Sequence, residues 1–193
     1  MSLGDALLTF VSVFVAALLA FYLDGLRERR ATRAWIKEYL GFWRSLLDSG
    51  EEEREANAAG VRRVEAALDD WLAAGPGSQP TWRDVDAINI NATVRFTGPL
   101  LSNGGSVVPP ALLQRMFVAD GSAPALTTQS DFVTRLFETE VRPLVLGRVV
   151  PLEGRDREAV ELYRREFLGL FEQMDAYGGL LSEIREELVQ LGY

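Results

Sequence analysis

Apolar and polar positions change rhythm several times along this chain. Residues 6–23 read ALLTFVSVFVAALLAFYL, eighteen positions without a charge. At about 1.5 Å per residue this run, extended by Leu3 and Gly4, makes a helix of about 27–31 Å, which matches the hydrocarbon core of a bilayer. It has no polar stripe of the kind a soluble core helix carries. The side-chain charge ahead of it is Asp5, whereas a cleaved signal peptide wants a basic leader and a small-residue cleavage site. The pattern predicts a retained transmembrane helix. Within it Ser12, Ala16 and Ala20 repeat every four residues, a spacing that lets a second helix approach closely in the membrane.

Ile36, Tyr39, Leu40, Trp43, Leu46 and Leu47 then recur at helical spacing, so the first helix is expected to continue beyond the apolar run or to restart after little break. The stretch 48–55 is acidic and poor in apolar residues, and helical spacing resumes at Val61, Val64, Ala67, Leu68, Trp71 and Leu72. AGPGSQP, 74–80, punctuates a loop. The middle third is less regular. Thr81 with Asp84 reads as the start of a short helix through Ile88, and little helical character follows up to 106. Pro109 and Pro110 open a helix expected to close at Gly121, and Thr128 with Asp131 opens another, which Pro143 is expected to kink or end.

The closing segment carries the clearest soluble period. Val160, Phe167, Met174, Leu181 and Leu188 fall seven apart, and Tyr163, Leu170, Tyr177, Ile184 and Leu191 repeat the same interval three residues later. The spacing predicts a long helix with one apolar seam, packed either on the 35–72 helix or against a second copy of the chain. Gly169, Gly178 and Gly179 weaken a free-standing coil and favour the bundle. The fold class expected is all-α: one N-terminal transmembrane helix with its basic collar over 1–34, then a cytoplasmic helical bundle over 35–193 with an irregular middle segment.

Charge gives the direction. Residues 24–37 hold Arg27, Arg29, Arg30, Arg33 and Lys37 against Asp24 and Glu28, whereas 38–193 hold 25 acidic against 15 basic side chains. By the positive-inside rule the collar stays cytoplasmic, next to lipid headgroups, and the short N-terminus crosses. An acidic body argues against a nucleic-acid partner, which needs a concentrated basic surface.

Cysteine and histidine are both absent. Their absence excludes disulfides, Cys/His zinc sites, histidine-held haem, Cys nucleophiles and a Ser-His-Asp relay. Lys37 is the single lysine. The turn Ser102-Asn103-Gly104-Gly105-Ser106 matches no phosphate-binding fingerprint, and Asn91-Ala92-Thr93 is a glycosylation sequon made irrelevant by a cytoplasmic placement. Paired acids such as Asp69 and Asp70 read as a solvated face. No catalytic residue, metal ligand or cofactor is expected.

FVSVFVAALLAFYLDGLRERR running into WIKEYLGFWRSLLDSGEEE, with LLSNGGSVVPPALLQRM and the long closing helix, resembles a family of uncharacterised bacterial membrane proteins with one N-terminal span and a helical cytoplasmic body. The resemblance implies this architecture in a bacterial inner membrane and brings no activity with it. The function expected is a non-catalytic accessory subunit that stabilises a larger membrane complex, with respiratory or photosynthetic assemblies as natural hosts. Its partners would be lipids and other membrane subunits. The alternative is a homo-oligomeric tether or sensor that uses the 160–191 seam and recruits a soluble partner.

Overall fold

The structure, a computed structural model, describes residues 3–80, 85, 95–103 and 107–193, with the side chains of 3–14, 16, 17, 51–53, 55, 56 and 103 outside the description. The described residues are mostly helical, without strands. Helix α1 runs unbroken over Leu3–Ala73, about 107 Å at 1.5 Å per residue. Helix α2 is the short Thr97–Asn103, α3 is Pro110–Leu136, a π-helical turn Phe137–Val141 leads into α4, Arg142–Gly147, and α5 returns over Gly154–Gln190. Among the described residues no helix is long and apolar enough to cross a membrane. The side chains of 6–14, 16 and 17, which make up most of the apolar run, lie outside the description.

Helix α5 lies between α1 and α3. The Asp48–Arg185 and Asp69–Arg164 pairs at its two ends make it antiparallel to α1. Two apolar cores form along this packing. The proximal core gathers Ile36 and Leu40 of α1, Leu100 of α2, Leu112 and Met116 of α3, and Ile184 and Leu188 of α5. The distal core gathers Val61, Leu68 and Trp71, Val133, Phe137 and Val141, and Val160, Tyr163, Phe167 and Leu170. Between them α1 passes through its polar stretch, where no described side chain from 41 to 60 is buried. Of the described residues, Tyr177 alone packs partly buried against both cores.

Six buried seam positions, Val160, Tyr163, Phe167, Leu170, Ile184 and Leu188, hold α5 in place. At about 1.5–3 kcal/mol for each large apolar side chain, their burial far outweighs the half-exposed ion pairs along the same edge, worth about 0–1 kcal/mol apiece. The polar contacts serve register. Arg164 bonds both oxygens of Asp69 at 2.6 and 3.2 Å, Arg185 meets Asp48 at 2.5 Å, and Arg54 donates to Ser182 Oγ at 3.3 Å. The Asp69 bonds raise the Arg164 pKa above its ordinary value. Arg157 donates to the Leu72 carbonyl at 3.1 Å, satisfying one of the acceptors that the last turn of α1 leaves open. Gly178 lets Arg54 lie across α5, since a Cβ there would stand 2.8 Å from Arg54 Cδ.

Several expectations are corrected. Gly121 does not close a helix: α3 passes through both Gly121 and Pro124, because Ala119, Ala123 and Leu126 are buried on its inner face and packing overrides local propensity. Pro143 does not end the helix either. The π turn places it at the first turn of α4, where its missing N–H costs little. The 95–103 stretch, expected to be non-helical, contains α2, anchored by Phe96 and Leu100 in the proximal core. The segments expected to hold the Thr81 helix, the Asn91 sequon and Gly104 to Ser106 lie outside the described residues, Val85 excepted.

One tie could not be read locally. The Asp120 carboxylate on α3 accepts from the backbone N–H groups of Phe96 at 2.6 Å and Thr97 at 2.8 Å, and from the Thr97 hydroxyl, and so caps α2 from another helix. Asp120→Ala is expected to lower stability by about 1–3 kcal/mol, measured by chemical denaturation, through loss of a charged acceptor to half-buried donors.

Candidate functional site

Among the described residues, the body packs on α1 from Trp35 to Leu72. From 15 to 34 no described side chain of this helix is buried. Exposure there is not confined to one face: Leu18, Leu19, Ala20, Phe21, Tyr22 and Leu23 are consecutive and all exposed, Phe21 by 78% and Leu23 by 61%. Six successive residues cover every direction around a helix of 3.6 residues per turn. A soluble helix of this length turns one apolar stripe inward. Over 18–23 this one carries apolar side chains all round, and none of them is buried among the described residues.

The collar starts about one turn beyond Leu23 and ends about four turns beyond it. Arg27, Arg29, Arg30, Arg33 and Lys37 are all exposed, and none makes an ion pair among the described residues. In the body, Arg44, Arg115, Arg142, Arg155, Arg157, Arg164, Arg165 and Arg185 meet carboxylates, whereas Arg62, Arg63, Arg95, Arg135 and Arg148 make no ion pair among the described residues. Above the collar Trp35 and Tyr39 stack at 5.1 Å, and Trp43 lies 4.5 Å from Phe96. The Tyr39 hydroxyl donates to the Phe96 carbonyl at 2.9 Å. Burial raises the Tyr39 pKa, the Trp43 indole N–H opposes that rise, and the Asp120 charge adds to it.

Of the small-residue face, Ala20 is exposed, and the side chains of Ser12 and Ala16 lie outside the description. The 160–191 seam faces inward on α1 and α3. Met174, Tyr177 and Leu181 are half-buried where the two cores part, and Leu191, just past the end of α5, is exposed. A groove of about 480 Å³ opens at this waist between α3 and α5, lined in part by Gly121, Ala125, Gln173, Ala176 and Tyr177. Its lining carries no acid, no base and no nucleophile set for chemistry. Asp120 was not singled out by the sequence, because its partners stand 23 and 24 residues away and no local motif marks them.

Tyr177 carries the one unusual ionisation in the groove. Its hydroxyl oxygen is buried with no hydrogen-bond partner among the described residues. Burial first, and the Asp120 charge second, push its pKa from 10.0 up to about 12. The phenol is neutral in both states below pH 10. Above that the unfolded chain ionises first, so this contribution to stability is lost as pH rises through 10 towards 12. Tyr177→Phe is expected to leave neutral-pH stability unchanged or to raise it by up to about 1–3 kcal/mol, since it removes an unpartnered buried hydroxyl. Tyr177→Ala should instead cost about 3–5 kcal/mol by opening a cavity. Denaturation curves at neutral pH and above pH 10 check both, with the alkaline loss reduced in the Phe variant.

No protein-family model, curated protein or solved structure matches this chain.

Proposed function

We propose that this protein is a single-span membrane protein whose α1 crosses the bilayer over residues 6–23, with the N-terminus outside and the acidic three-helix body on the cytoplasmic face. In this role it is a non-catalytic accessory subunit of a larger membrane assembly. The observation that carries the reading is the belt from Leu18 to Leu23, apolar and exposed in every direction, on a helix continuous with a packed body. Water solvates such a surface poorly and lipid solvates it well. The unpaired collar directly above it supports the same direction of insertion.

Association with another subunit is favoured over self-association through the seam. The seam's large residues Val160, Tyr163, Phe167, Leu170, Ile184 and Leu188 are already buried inside the chain. Apart from Leu191 at the end of the seam, the apolar residues that stay outward include Phe42 and Leu46 on α1, and Phe117, Val118 and Phe132 on α3. The absence of histidine and cysteine supports a role in holding rather than in chemistry. Native membranes carrying the chain with a C-terminal tag, extracted in mild detergent and sized on a native gel with mass spectrometry of the band, test this. A stoichiometric set of other membrane subunits is expected. Recovery as a lone monomer or homo-oligomer would contradict the accessory role.

A further inference from the structure

The collar is not evenly wound around α1. At 3.6 residues per turn Arg29, Arg30, Arg33 and Lys37 fall within a sector about 100° wide, and Asp24, Glu28 and Glu38 fall within about 80° on the opposite side. Arg27 stands with the acids. None of the four stripe cations has an acidic residue three or four positions away, where a helix pairs its side chains. Arg33 has only cations at three such positions, Arg29, Arg30 and Lys37. Four exposed like charges in contact order, uncompensated within an otherwise acidic chain, call for anions from outside it.

We infer that this stripe binds anionic phospholipid headgroups and leans α1 towards the membrane on that side. The inference rests on the membrane-spanning reading. Measured along the axis, Arg29 stands about 9 Å and Lys37 about 21 Å beyond Leu23. The headgroup layer of one leaflet adds about 5–8 Å to the hydrocarbon core, and its surface potential extends about 8 Å further at physiological salt. Helical side chains slant towards the N-terminus, which here is the membrane side, so Arg29 and Arg30 reach the phosphates directly. Arg33 sits within the field. Lys37 stands above the headgroups at the edge of that field, and a tilt towards its side, about 20° being ordinary for membrane spans, brings it deeper into the field. With acids facing away, the charge on the two sides of α1 pulls in one direction only. An acidic protein would need no such alignment with the end of the apolar belt.

The test uses the full chain in nanodiscs of phosphatidylcholine with phosphatidylglycerol, followed by release and native mass spectrometry of the lipids that stay bound. Wild type is expected to retain phosphatidylglycerol at least about tenfold over phosphatidylcholine, with the preference falling as salt rises. R29Q/R30Q/R33Q/K37Q is expected to bring the ratio close to one, whereas R62Q/R63Q in the body leaves it unchanged. Should the quadruple variant fail to insert, R33Q/K37Q, which keeps the two membrane-nearest arginines of the stripe, must lower the ratio severalfold. R29K/R30K/R33K, which keeps the charge, must preserve it. An inserted wild type without lipid preference overturns the inference alone, as does loss of a co-purifying acidic protein in the quadruple variant without any change in lipid. A wild type that does not enter the nanodisc overturns the membrane-spanning reading itself.

Discussion

Burial of the α5 seam is the interaction on which the rest depends. A 71-residue helix has no reason of its own to build a body, since its hydrogen bonds are satisfied internally and its ends lie far apart. Only where α5 lays Val160, Tyr163, Phe167 and Leu170 at one end and Ile184 and Leu188 at the other does α1 acquire an inner face. Helix α3 completes both cores from the opposite side of α5. The ion pairs along the α1–α5 edge then select register rather than supply stability, because most of their groups are a third or more exposed.

The same helix is asked to satisfy two surroundings. Over 36–71 it is amphipathic and packs, with Ile36, Leu40, Leu68 and Trp71 inward. Over 18–23 it is apolar in all directions, with none of these side chains buried among the described residues. Continuity matters mechanically: α1 stays helical through Gly25 at the junction, without a proline there, so a tilt of the segment below is carried to the body above. The collar, placed at that junction with cations on one side and acids on the other, is where such a tilt would be set.

Much of this architecture was legible in the residues. The helical periods at 36–47, Leu46 excepted, and at 61–72 and 160–188 returned as the inward faces of α1 and α5, and the bundle alternative for the seam is the arrangement the structure adopts. What escaped was the middle. Gly121 and Pro124 are stop signals by local chemistry, yet the inner face of α3 buries Met116, Ala119, Ala123 and Leu126 in succession, and that contact exceeds the local cost. Helix α2 depends on Asp120, a partner no short window contains. The unpaired state of the collar was equally invisible, because pairing with distant acids is a property of the fold. The spacing of the charges themselves was on the page from the start.

The central claim is that residues 6–23 lie inside a bilayer with the body on the cytoplasmic side. The chain contains no cysteine, so single cysteines introduced one at a time from Ser2 to Ser49 report on their own positions without background. Intact cells and opened vesicles are treated with a maleimide that does not cross membranes. The account predicts labelling at Ser2 from outside, protection throughout 6–23, and labelling from 38 onwards only after opening. Uniform labelling through 6–23, or labelling of the body from outside in intact cells, would contradict it.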